Sequence, residues 1–169
     1  TVYERGLMVW DDKDAQIEKL LAFPTDVAAF PHGHSFAHRP KDGNGDEMRY
    51  FGYGYPFFRI PNTFEAWTDP ATYEVFTLLD DDGAKRFGWT KSGATIAPWT
   101  RAEQRERLDL DTENGWIRLS DADTGKEVVV HRASVNWNPF RKKWIMIAAQ
   151  EGGQSSYLGE IWYAEAVAP

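Results

Sequence analysis

Turn-forming residues divide this chain so finely that few stretches are long enough for a helix. Prolines stand at positions 24, 31, 40, 56, 61, 70, 98 and 139, and each fixes φ and removes a backbone donor. Between them lie short segments rich in aromatic and β-branched residues, which favour strands. Met48 to Ile60 is bounded by Asn44-Gly45 and Pro61-Asn62, and Tyr73 to Leu79 runs into Asp80-Asp81-Asp82-Gly83. GWIRLSD and KEVVVHR flank the turn Ala122-Asp-Thr-Gly125. Ala133 to Gln150 reads as a hairpin with Asn138-Pro-Phe-Arg141 at its tip, and Leu158 to Val167 as a closing strand. One or two short helical segments are expected. Asp12 to Phe23 places Ile17, Leu20 and Leu21 at helical spacing behind Asp11 and Asp12 as caps. Thr100 to Leu108 opens with Thr100 and Glu103 at capping-box spacing.

Composition narrows the class. A chain of 169 residues suits one domain with a self-sufficient core. Its 26 acidic and 19 basic side chains leave a net charge of −7, and no basic face is visible, which argues against nucleic acid. Without cysteine there are no disulfides and no thiolate metal sites. No apolar run approaches the roughly 20 residues of a membrane helix. The start, TVYERGLMVWDDKD, lacks the apolar core of a signal peptide, although a mature secreted protein would have lost one. Eight Trp, seven Tyr and ten Phe supply flat surfaces for a core or for stacking.

Internal repetition sharpens the fold. Ser35-Phe36, a Pro-containing turn and Met48 to Gly54 parallel Ser134-Val135, a Pro-containing turn and Lys143 to Ala149. Each pair is followed by a loop and a third strand, Phe57 to Trp67 or Glu160 to Ala166. Ser35 and Ser134 stand 134 − 35 = 99 positions apart, which fits two units of about 45–50 residues each. The expectation is an all-β, propeller-like stack of four-stranded antiparallel blades in one domain, with one or two short helices. Its units are residues 31–79, 80–130 and 131–169. Three blades cannot close a ring of four to eight. Missing flanking blades, or several copies of the chain, would then complete it, because open edges and apolar faces favour association. A β-sandwich is the alternative.

SVNWNPFRKKWIMIAAQ with SSYLGEIWYAEAVAP, and GHSFAHRP with MRYFGYGYPFFRIP, resemble blades of the five-bladed β-propeller glycoside hydrolases, the arabinanase and xylosidase-like (family 43-like) group. The resemblance covers Pro31 to Pro169, most closely the last 40 residues. It implies a secreted or periplasmic, carbohydrate-active protein. It also implies a structural calcium on the ring axis as the only cofactor to expect. The family places an aspartate near the start of an inner strand, where this chain has His34-Ser35 and Ala133-Ser134. The chain therefore either hydrolyses glycans with carboxylates supplied elsewhere, or binds glycan or protein without catalysis.

In a propeller, inner-strand starts and the loops after second strands face one mouth. That rule gathers His34, Tyr55, Arg59, His131 and Gln150 as substrate-binding candidates, with Trp137 as a stacking surface. Glycoside hydrolysis needs an acid and a second carboxylate. Glu160, between Gly159 and Ile161 at a strand start, is the first candidate acid, and Glu151 on the glycine-rich loop is the second. The plain alternative for Glu160 is an ordering contact with an arginine. His32, His34 and His38 suggest a metal, but no further ligand is identifiable and none is assigned. Arg141-Lys142-Lys143 reads as a solvated turn.

Overall fold

The computed structural model describes residues 4–25, 30–40, 45–52, 57–81, 84–91 and 119–168. Alternation of apolar and polar residues becomes antiparallel sheet throughout. Strands β1 (Arg5–Asp11) and β2 (Gln16–Phe23) form a hairpin. A five-stranded meander follows in the order β3 (His34–His38), β4 (Met48–Gly52), β5 (Phe58–Pro61), β6 (Glu74–Asp81) and β7 (Ala84–Lys91). A short pair joins β8 (Leu119–Ser120) to β9 (Glu127–Val128). The chain ends in a three-stranded meander, β10 (Val130–Asn138), β11 (Lys143–Gln150) and β12 (Ile161–Ala166).

The all-β class follows from the sequence, but several details differ. The helix expected over Asp12 to Phe23 is instead the second half of the β1–β2 hairpin. Asp11 Oδ1 accepts from Lys13 N at 2.8 Å, and Ala15 adopts a positive φ of 49°. That local turn lets Gly6 to Trp10 pair with the segment, which a helix could not do. Met48 to Ile60 contributes two strands, because the chain reverses after Gly52 and Phe51 comes to face Phe58. Among the described residues the one α-helix is a single turn, α1 (Phe64–Thr68), capped by Thr63 and followed by a 3-10 turn at Pro70–Thr72. It takes the end of the expected third strand, Phe57 to Trp67. No sheet among the described residues has four strands. The expected helix at Thr100 to Leu108 and residues 92–118 of the middle unit lie outside the described residues.

Two clusters hold the strands. Phe51, Phe58, Ile60, Ala66, Tyr73 and Val75 bury the inner face of β4–β6 under α1, with Phe58 and Ile60 fully buried. Burial pushes the Tyr73 phenol up to about 12, with Asp69 adding to the effect, and its hydroxyl donates to Trp67 O at 2.5 Å. In the second cluster Phe36, Met48, Tyr50 and Trp144 are buried, with Val135 and Trp89 packed against them. Phe36 and Val135, at matching positions of the repeat, thus share one cluster. It is the seam between the five-stranded and three-stranded sheets.

Candidate functional site

The seam joins the two meanders through side chains. His38, at the end of β3, meets Trp144 edge-on at 5.2 Å, and Phe36 lies 5.0 Å from the same indole. Trp144 is the register partner of Trp137, near the end of β10. His131 lies at the other end of β10, beside Gln150, the register partner of Val130, and the connection from Glu151 to Glu160. His34 opens β3. Gly33 introduces β3 with a φ of +84°, and a Cβ there would stand 2.5 Å from Gly52 O. Only glycine permits that approach.

The connection after β11 is braced by its own carboxylates. Glu160 Oε1 accepts from Gln154 N at 2.8 Å and Ser155 N at 3.3 Å. Its Oε2 occupies the space beside Gly153, where a Cβ would come within 2.7 Å. Glu151 accepts from the Tyr157 hydroxyl. Gly152 N donates to Tyr157 O at 2.9 Å, and Gln150 N to Glu160 O at 2.9 Å. Gln150 Oε1 accepts from the Trp162 indole at 2.5 Å. Glu160 thus accepts from backbone amides of its own connection, where the plainer expectation was an arginine.

The remaining candidates are dispersed. Trp137 stands at the hairpin end of β10, roughly 20 Å from Gln150 by strand rise, so it cannot share a sugar with that end. It is half-exposed and rests edge-on against Trp144 at 5.7 Å. Arg59 lies mid-sheet opposite Tyr50 and is buried. Its Nε donates to Glu74 Oε2 at 2.7 Å, an NH1 donates to the Tyr50 hydroxyl at 3.3 Å, and the guanidinium sits 4.4 Å over the Trp89 ring. These contacts make it a core cation. Tyr55 lies outside the described residues. Among the described residues no group of three or more His, Asp or Glu side chains could hold a metal ion.

Sequence reasoning missed Glu74, Trp89 and Tyr157. A charge inside Tyr73-Glu74-Val75 was a signal for a buried partner of Arg59, since an ionised group inside a sheet needs one. Tyr157 carried no signal, because its role depends on a loop closing on itself.

His32, outside the strands, belongs to an aromatic joint that ties the β1–β2 hairpin to the main sheet. It stacks on Phe30 at 4.2 Å and tilts against Phe57 at 4.8 Å, and Phe30 packs against Phe23 at 6.4 Å. Arg5 caps the Phe30 ring at 4.4 Å. Burial lowers the His32 pKa below 6.5; its bond with Phe30 O opposes this, and the Arg5 charge adds to it. A base with a depressed folded pKa keeps its full stabilising contribution above the unfolded value and loses it as pH falls toward the folded one. Stability should therefore decline below about pH 6.5, and His32→Gln should flatten that part of the curve. Thermal melts of both proteins between pH 5 and 8 measure it.

Comparison with known protein families, with characterised proteins and with solved structures returns no match for the chain. No helix among the described residues is long and apolar enough to cross a membrane.

Proposed function

We propose that the chain is a piece of a glycosidase-like β-propeller that binds glycan at the end where β10 begins. One observation carries the proposal. Two meanders, β3–β5 and β10–β12, share an aromatic seam, and His131, Gln150 and the Glu151–Glu160 connection sit at one end of the second. An imidazole, a carboxamide and a braced polar loop are suited to sugar hydroxyls, and Tyr157 and Leu158 offer exposed apolar surface beside them. In such a ring the bare faces of the outer sheets would be covered by further blades. The compartment this implies is extracytoplasmic.

The partners of Glu151 and Glu160 favour binding over hydrolysis. A general acid must aim its proton at the leaving oxygen, whereas Glu160 is turned back on Gln154 and Ser155 and Glu151 on Tyr157. Hydrolysis in this reading would need carboxylates from further blades. Affinity electrophoresis on arabinan and xylan tests the proposal: the chain should be retarded, and His131→Ala should reduce retardation several-fold while circular dichroism is unchanged. Glu160→Gln should leave aryl-glycoside turnover at the buffer rate, as in the parent chain. Free migration on both polymers would refute glycan binding. Turnover lost on Glu160→Gln would refute the non-hydrolytic version.

A further inference from the structure

Two hairpin tips on this chain carry opposite charge beside uncovered apolar side chains. The β10–β11 tip presents Phe140, 94% exposed, with Arg141, Lys142 and Lys143. Glu165 takes hydrogen bonds from Arg141 at 2.8 Å and Lys143 at 2.5 Å, so three cations stand against one carboxylate and the tip remains basic. Bonds from Arg141, Lys143 and Tyr163 hold the Glu165 carboxyl down to about 2, which keeps that balance constant at working pH. The β1–β2 hairpin is the reverse. Asp11, Asp12, Asp14 and Glu18 surround Lys13, Lys19 is taken by Glu4, and Met8, Trp10 and Ile17 are all more than half exposed.

Both tips are pre-set. Asn138 Oδ1 accepts from Arg141 N at 2.9 Å and Lys142 holds a φ of +53°, while Asp11 closes the other turn on Lys13 N. Ordered tips lose little entropy on docking. Each is exposed, so neither covers the other within one molecule.

We propose that the basic, Phe140-bearing tip of one chain docks on the acidic, Trp10-bearing hairpin of a second copy. Charge complementarity selects the partner: the chain is acidic overall at −7, this tip is a local exception, and its complement exists on the same molecule. Two different patches make a head-to-tail contact, which builds a ring if the rotation closes and a filament if it does not. The inference stands apart from glycan binding, since the β10–β11 tip lies at the opposite end of β10 from His131.

Sedimentation velocity tests it. At about 0.1 M salt the weight-average mass should rise with concentration above 19.3 kDa. Association should weaken at about 1 M, where the Debye length falls from roughly 10 Å to roughly 3 Å. Lys142→Glu and Asp14→Lys should each weaken self-association roughly three- to tenfold. Mixing the two variants should restore one such contact, because the unaltered basic tip of Asp14→Lys then meets the unaltered acidic hairpin of Lys142→Glu. Phe140→Ala should weaken it with no change in fold. A mass fixed at 19.3 kDa at every concentration, or association indifferent to these substitutions, would overturn the proposal.

Discussion

Replacing Trp144 by alanine should cost about 3–5 kcal/mol, a large share of the 5–15 kcal/mol that holds a domain of this kind. Trp144 is buried where both large sheets meet. It touches Phe36 and His38 of the five-stranded sheet and Trp137 of its own. The substitution therefore removes a large apolar side chain, leaves a cavity that three rings cannot collapse to fill, and unties two meanders. Urea unfolding should show a lowered midpoint. If the sheets retain some stability apart, intrinsic fluorescence and circular dichroism should stop coinciding, because two-state behaviour requires a single cooperative unit. Phe140→Ala is the control: that ring is almost fully exposed, and its loss should stay within about 0.5 kcal/mol. A Trp144→Ala shift no larger than the control would mean that the seam is not a structural joint.

What the sequence made legible follows from the range of the forces involved. Hairpins such as β10–β11 were readable because period-2 alternation and an Asn-Pro tip act over a few residues. The Phe36 and Val135 correspondence was readable for the same reason, as a local pattern occurring twice. The β1–β2 hairpin was misread as a helix because Ile17, Leu20 and Leu21 satisfy either period over so short a run, and β2 is mostly exposed with little apolar patterning to decide. Sites fared worse than elements. Placing Arg59 at a mouth assumed that a charged residue on an aromatic strand faces solvent. Its fate depended on Glu74, 15 positions away, and on Trp89 across two strands. Grouping Trp137 with Gln150 ignored strand direction: in an antiparallel hairpin the end of β10 and the end of β11 lie at opposite ends of the pair. Glu160 was rightly located beside the glycine-rich loop, but its partners are amide groups, which sequence does not advertise.

Glu74→Gln should destabilise the fold by about 3 kcal/mol, because it leaves a buried guanidinium without its counter-charge. Arg59 and Glu74 side chains are 8% and 19% exposed, so water can replace little of what is lost. Burial pulls the Arg59 pKa down, but the bonds to Glu74 and Tyr50 outweigh it and hold the group above its ordinary value. A guanidinium does not give up its proton at working pH even without that carboxylate, so Arg59 cannot relieve the defect by neutralising itself. Lys91, 3.1 Å from the other Glu74 oxygen, is mostly exposed, and Lys91→Ala should cost less than about 1 kcal/mol. The decisive comparison is the double replacement Arg59→Met with Glu74→Leu. Removing both charges abolishes the desolvation burden, and an apolar pair of similar volume against Trp89 and Tyr50 should recover most of the stability lost in Glu74→Gln. Recovery would identify the pair as a structural bond that an apolar contact can replace. If the double variant instead folds stably but loses retardation on arabinan or xylan, the Arg59 cation serves the glycan after all, and the binding surface must reach the middle of the five-stranded sheet.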